Sequence, residues 1–196
     1  MIHPLTKQAI KGVIWYQGEH EANRLADRTT FSSIFTDLID SWRTAWSQND
    51  MPFLFTQLSA WARQNNEPVQ SNIAIVRNQQ LNTWKTVANT GMVVSIDGGV
   101  NGGSDDIHPP NKEDVGSRLA LFARKLAYNE DIQYTGPKIR QAVRVNQTSS
   151  AILKFKHFGQ GLNAKAVELN KNGSEQFNLE VDSLYSFELA GADNIF

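Results

Sequence analysis

The residues best suited to chemistry lie in two short segments. Asp105-Asp106-Ile107-His108-Pro109 sets an imidazole beside two carboxylates. A histidine acts as a general base near neutral pH without much tuning. A carboxylate close by can hold the ring in one tautomer and stabilise its cationic form. Asp105 stands three residues before His108, and Asp106 stands nearer. The same residues also suit a surface loop whose aspartates cap the next helix, with an exposed histidine. Metal ligation by Asp105, Asp106 and His108 is the third option, although no second histidine falls at a convincing ligand spacing. The other segment is Trp15-Tyr16-Gln17-Gly18-Glu19. A glycine at a strand-to-loop corner exposes backbone N–H groups, and a nearby side-chain amide adds a donor, which suits stabilisation of an oxyanion. An ordinary strand end with Glu19 hydrogen-bonded locally explains it equally.

A nucleophile is harder to find. The chain has no cysteine, which excludes thiol nucleophiles, thiolate metal sites and disulfides. No Gly-x-Ser-x-Gly elbow occurs. Gln70-Ser71-Asn72 places Ser71 where it reads as the N-cap of a following helix. Ser104 adjoins the acidic loop, but nothing in the sequence sets it against His108.

The elements that must position these segments follow from hydrophobic periodicity. Lys11–Tyr16, Pro52–Leu58 and Gly91–Asp97 read as three buried strands. Phe31, Phe35, Leu38, Ile39, Trp42 and Trp46 mark one helix face, Ile73, Arg77, Leu81 and Trp84 a second, and Val115, Leu119, Phe122 and Leu126 a third. Strands alternating with helices predict a parallel sheet with helical crossovers. Function in such sheets gathers at the carboxyl ends of the strands. Here those are Gln17-Gly18-Glu19, the stretch after Leu58, and the loop from Asp97 to His108. After Gly136-Pro137 the pattern changes to short alternating stretches at Ala142–Val145, Ala151–Phe155, Ala166–Leu169 and Leu184–Leu189, which predict antiparallel β structure.

The bulk composition agrees with a folded domain. In 196 residues, 40% are hydrophobic and 20% charged, with five Trp and ten Phe. That supports a core and argues against disorder. A formal net charge of −1 argues against holding nucleic acid or an anionic membrane by charge alone. No apolar run approaches the length of a membrane-spanning helix.

Taken together, the motifs resemble a known family. Lys11-Gly12-Val13-Ile14-Trp15-Tyr16-Gln17-Gly18-Glu19, with Asn23 after it, resembles the third conserved block of the sialate O-acetylesterase-like branch of the SGNH hydrolases. Asp106-Ile107-His108-Pro109-Pro110-Asn111-Lys112 resembles its final block, and the strands at 52–58 and 89–97 are similar to its core strands in order. The tail, including Phe187–Asp193, resembles its C-terminal β region. The resemblance implies a flavodoxin-like three-layer α/β/α hydrolase domain over residues 1–135, lacking its first strand or strands, and a small antiparallel β region over 136–196. It implies a carbohydrate O-acetylesterase with a Ser-His-Asp mechanism and no cofactor. His108 would be the base. Asp105 matches the superfamily's acid position, and Asp106 matches the Asp-Ile-His-Pro wording of this branch. Gln17, Gly18 and Glu19 would lie on the oxyanion and substrate side.

The family's nucleophile occupies a Gly-Gln-Ser-Asn-type turn that precedes the block matched at Trp15, and no such turn occurs here. The expectation is therefore a chain that begins after the nucleophile and is inactive alone. The absent strands would leave an apolar sheet edge that favours a homo-oligomer. The partner expected is an acetylated carbohydrate, with no metal, nucleic acid or membrane; the compartment stays open, although bacterial relatives of this type are often exported. The alternative function is a carbohydrate-binding or accessory module, with Trp61 stacking on sugar rings.

Overall fold

The computed structural model describes residues 2–60, 71–96, 107–144, 151–157, 165–169 and 175–180. The first strand, β1 (Val13–Trp15), leads into a short helix, α1 (Glu19–Arg24), and then a long one, α2 (Phe31–Ala45). Strand β2 (Phe53–Thr56) is followed by helix α3 (Asn72–Thr86), strand β3 (Thr90–Val93) and helix α4 (Glu113–Leu126). The three strands form a parallel sheet in the order β1-β2-β3, with Trp15 opposite Phe55 and Phe55 opposite Met92.

The two faces of this sheet bury different side chains because strand residues alternate. Val13, Phe53, Phe55 and Met92 face a core completed by Ala22 of α1, Phe31, Phe35 and Ile39 of α2, and Ile73 and Val76 of α3. Leu54 and Val93 face the opposite way, against Val115, Leu119 and Phe122 of α4. Helices thus cover both faces of a parallel sheet, giving the expected α/β/α layering. Gly91 lies under α4, where a Cβ would meet the Phe122 ring and Leu54, so the close approach of helix to strand depends on a missing side chain. Ile14 shares the α4 face with Leu54 but remains 65% exposed. The α4 layer covers β2 and β3 and stops short of β1.

The helices start and stop for identifiable reasons. Along α2, Phe31, Phe35, Ile39 and Arg43 recur every four residues and are buried. Arg43 sits in this stripe because its guanidinium has carbonyl partners: Nε donates to Met51 O at 3.1 Å and an Nη to Ala88 O at 2.8 Å. Burial pulls its pKa down, opposed by Asp40 and Asp50. At the start of α4, Asn111 Oδ1 accepts from the Asp114 N–H at 3.2 Å, and Asn111 Nδ2 donates to Asp114 Oδ2 at 2.8 Å. This reciprocal pairing satisfies an end donor in the manner of a capping box. Glu113 and Asp114 occupy the first turn and Arg124 and Lys125 the last, matching the helix dipole at both ends.

Antiparallel structure follows, as the alternation predicts. Strands β4 (Lys138–Arg144) and β5 (Ala151–Lys156) form one ribbon, and β6 (Lys165–Leu169) and β7 (Glu175–Glu180) another. The alternation reading did not include β7, whose Glu-Gln-Phe-Asn-Leu-Glu sequence carries only two apolar residues. The stretch Leu184–Leu189 lies outside the described residues. Among the described residues, no helix is long and apolar enough to cross a membrane.

Candidate active site

The carboxyl ends of the three strands are tied together by α3. Its buried positions are Ile73, Val76, Gln80 and Thr83, a stripe offset from the predicted one. Arg77 and Leu81 are half-buried beside it. Apolar periodicity misplaced this stripe because two of its four members are polar. Gln80 is fully buried and survives there because its amide is satisfied. Oε1 accepts from the Leu58 N–H at 2.9 Å, while Nε2 points at Thr56 O at 3.3 Å and, more weakly, at Gln17 O at 3.5 Å. One side chain therefore spans the ends of β1 and β2.

Arg77, one turn earlier, performs a similar task at the next residues. Its Nε donates to Leu58 O at 2.7 Å and an Nη to Ser59 O. Burial lowers its pKa, with Tyr16 acting in the opposite direction. The ends of β2 and β3 are joined beyond the ladder by Ser59 Oγ donating to Ser95 O at 2.6 Å and Ser95 Oγ donating to Gln57 O at 2.7 Å. Side-chain hydrogen bonds thus cross-link the strand ends under the site.

On this platform sits the first candidate segment. Gly18 is buried, with φ at +146°, a conformation that side-chain-bearing residues rarely adopt. A Cβ there would also lie 3.2 Å from Leu58 Cδ2 and 3.4 Å from Gln80 Nε2. Glycine is demanded twice, by the backbone turn and by the close approach of Leu58. Gln17 donates from Nε2 to a Glu21 carboxylate oxygen, so one of its two amide protons is engaged by α1. Glu19 opens α1 and is half-buried.

Tyr16 connects this segment to the second. Its phenol is pushed above the ordinary value, chiefly by burial. The neighbouring Ser95 and Ser59 hydroxyls and Arg77 act against the rise, and Glu19 adds to it. The buried hydroxyl makes no hydrogen bond of good geometry among the described residues. Across the other side of the ring, Lys112 Nζ lies 4.8 Å from the centroid, a cation–π distance. Lys112 follows His108 by four residues, and His108 is exposed while Pro109 is buried. Lys112, four positions after His108, therefore reaches the residue that follows β1.

Asp105, Asp106, Ser104 and Trp61 lie outside the described residues. Ser71 occupies the N-cap position of α3, as its sequence context predicts, but its hydroxyl makes no cap hydrogen bond. Among the described residues, no group of three or more His, Cys, Asp or Glu is placed to hold a metal ion. Sequence reasoning missed Gln80 and the coupling of Tyr16 to Lys112. The available signal for Gln80 was a glutamine in register with Ile73 and Val76 on a helix that must pack against a sheet.

Comparison with known proteins bears on this geometry directly. The family described as carbohydrate esterase, sialic acid-specific acetylesterase, matches residues 2–125, which include both candidate segments. The chain is 35% identical over 151 residues to the sialate O-acetylesterase of Mus musculus, covering 70% of this chain and 27% of that protein. The human sialate O-acetylesterase is 32% identical over 151 residues, covering 70% of this chain and 28% of the relative. A crystal structure of a carbohydrate acetylesterase from Xanthomonas citri superposes with a TM-score of 0.70 at 38% identity, covering 85% of this chain and 36% of that one. The chain spans between a quarter and a third of the length of the curated relatives it matches.

Proposed function

Because the chain belongs to the sialic acid-specific acetylesterase family of carbohydrate esterases, we propose that it supplies the base and oxyanion side of an enzyme that removes acetyl groups from sugars. The observation that supports this reading is the Lys112 ammonium 4.8 Å from the Tyr16 ring centroid, which sets a residue four positions after His108 against the residue next to Gln17.

In this reading His108 takes the proton from a serine hydroxyl as that oxygen attacks the acetyl carbonyl. It then returns the proton to the departing sugar oxygen, and later activates water against the acyl-enzyme. Asp105 or Asp106 holds the imidazole. Backbone donors near Gly18, with the remaining amide proton of Gln17, face the carbonyl oxygen where negative charge develops. The rigid bracket from Gln80 keeps that corner from relaxing. The family resemblance assigns the nucleophile to a Gly-Gln-Ser-Asn-type turn, a motif this sequence does not contain. The substrate is an acetylated carbohydrate, with an O-acetylated sialic acid the first to test.

The test joins this chain to a segment bearing that turn and measures acetate release from O-acetylated sialic acid and acetylated xylan. Release that falls to background in His108→Ala is expected. A folded fusion that releases none, or a His108→Ala variant that releases it equally fast, would sink the proposal. Fluorophosphonate labelling of the chain alone should give no serine adduct; an adduct at Ser71 would place the nucleophile here.

A further inference from the structure

A cleft lies between the free side of β3, helix α4 and the segment Gln133–Lys138. It encloses about 710 Å³ and is walled by Trp84, Met92, Val94, Ile96, Phe122 and Tyr134. Val94 and Ile96 are 44% and 52% exposed, so its apolar wall meets solvent. The volume lies within the range of small-molecule sites.

Its rim carries positive charge, and no ion pair with an acid is formed by Lys138 among the described residues. Lys138 Nζ sits 3.2 Å from the centroid of the Trp84 ring. Directly across the ribbon, Lys138 is paired with Lys156, and like charges placed opposite one another destabilise a strand pair. No Asp or Glu occurs between Asp131 and Glu168. The nearest acids in sequence are engaged elsewhere, Glu130 with Arg124 at 2.6 Å and Asp131 with Lys125 at 3.5 Å. Burial, followed by Lys156, lowers the Lys138 pKa to about 8, with no carboxylate acting in the other direction. Arg118, also on the cleft wall, donates to Val94 O at 2.7 Å, and Lys138 is the cation set against the aromatic wall.

We propose that this cleft binds a small organic carboxylate, with its apolar body against Trp84, Phe122 and Tyr134 and its carboxylate on Lys138. An arriving anion relieves the Lys138–Lys156 opposition and compensates a partly desolvated charge. The apolar walls favour a hydrocarbon body over a polyhydroxylated one. This inference does not depend on the esterase reading.

Titration calorimetry of the full chain at pH 7 with 4-phenylbutyrate, and with the neutral 4-phenylbutan-1-ol, tests it. The carboxylate should bind at least about tenfold more tightly than the alcohol, with the Trp84 indole resonance shifting on binding. Lys138→Gln should remove that preference, Lys138→Arg should retain it, and Lys154→Gln should leave binding unchanged. Equal binding of acid and alcohol, no saturable binding of the acid, or a folded Lys138→Gln variant that binds as well as the parent would overturn the proposal. If Lys138→Gln fails to fold, the acid–alcohol comparison on the unaltered chain decides.

Discussion

Replacing Gln80 by Met is the sharpest test of how the strand ends are held. Methionine conserves length and flexibility, so the change removes hydrogen bonds while opening little space. The Leu58 N–H, now accepted by Gln80 Oε1 at 2.9 Å, would be left buried without a partner, at a cost of about 1–3 kcal/mol. The contacts to Thr56 O at 3.3 Å and Gln17 O at 3.5 Å are long, and losing them adds roughly 0.5 kcal/mol each. The expected sum is about 2–4 kcal/mol, or a fall of roughly 4–16 °C in Tm for a chain of this size. Thermal and denaturant unfolding measure the total. Amide exchange locates it, since the Leu58 N–H should lose protection while amides of β3 do not. Gln80→Glu separates the terms, because it keeps an acceptor for Leu58 and loses the donor to Thr56 and Gln17. A Gln80→Met variant within 0.5 kcal/mol of the parent (the ordinary scatter of neutral substitutions), with Leu58 still protected, would refute the bracket.

Gly18→Ala should destabilise by about 1–3 kcal/mol, from the disfavoured backbone angle and the contact with Leu58 together; its unfolding curve reads this out. Arg43→Met removes a charged donor from Met51 O and Ala88 O, and should lower stability by about 2–4 kcal/mol in urea titration. Stability should rise as pH increases from about 8 to 10.5, because folded Lys138 titrates near 8, below its ordinary 10.5, and so releases its proton before the unfolded chain does. Solvent screening of this half-buried amine limits the gain to about 1 kcal/mol; comparing Tm against pH in the parent and Lys138→Gln isolates it, and identical slopes would exclude it. Ile14→Lys should weaken any self-association through β1, measured by sedimentation, since a charge on an exposed apolar strand discourages pairing.

Much of the α/β part was legible because its signals are local. The Phe31–Phe35–Ile39 stripe and the Val115–Leu119–Phe122 stripe each predict a helix and its buried face, and both lie where periodicity sets them. Strand cores were also readable, although β1, β2 and β3 are shorter than the apolar runs that suggest them. Those runs continue into the loop ends, where Leu58 and Ser95 stay buried without ladder pairing. The buried face of α3 was not legible, since Gln80 and Thr83 are paid for by long-range partners that no periodicity can register. The motif at Trp15–Glu19 and the segment around His108 could be recognised separately. Their meeting depends on Lys112 crossing to Tyr16, a contact between residues 96 positions apart.

The contact between Gly18 and Gln80 also bears on how this sequence can drift. A Cβ at position 18 would press on Leu58 Cδ2 at 3.2 Å and touch the Gln80 amide at 3.4 Å, and position 18 has a turn that only glycine makes easily. A larger residue at 18 therefore displaces Leu58 first, while a change at 80 orphans the Leu58 N–H. Neither site changes without loss. On the same helix Asn78 and Lys85 face solvent, and they can vary without consulting the loop. Across homologues, positions 18 and 80 should each vary little.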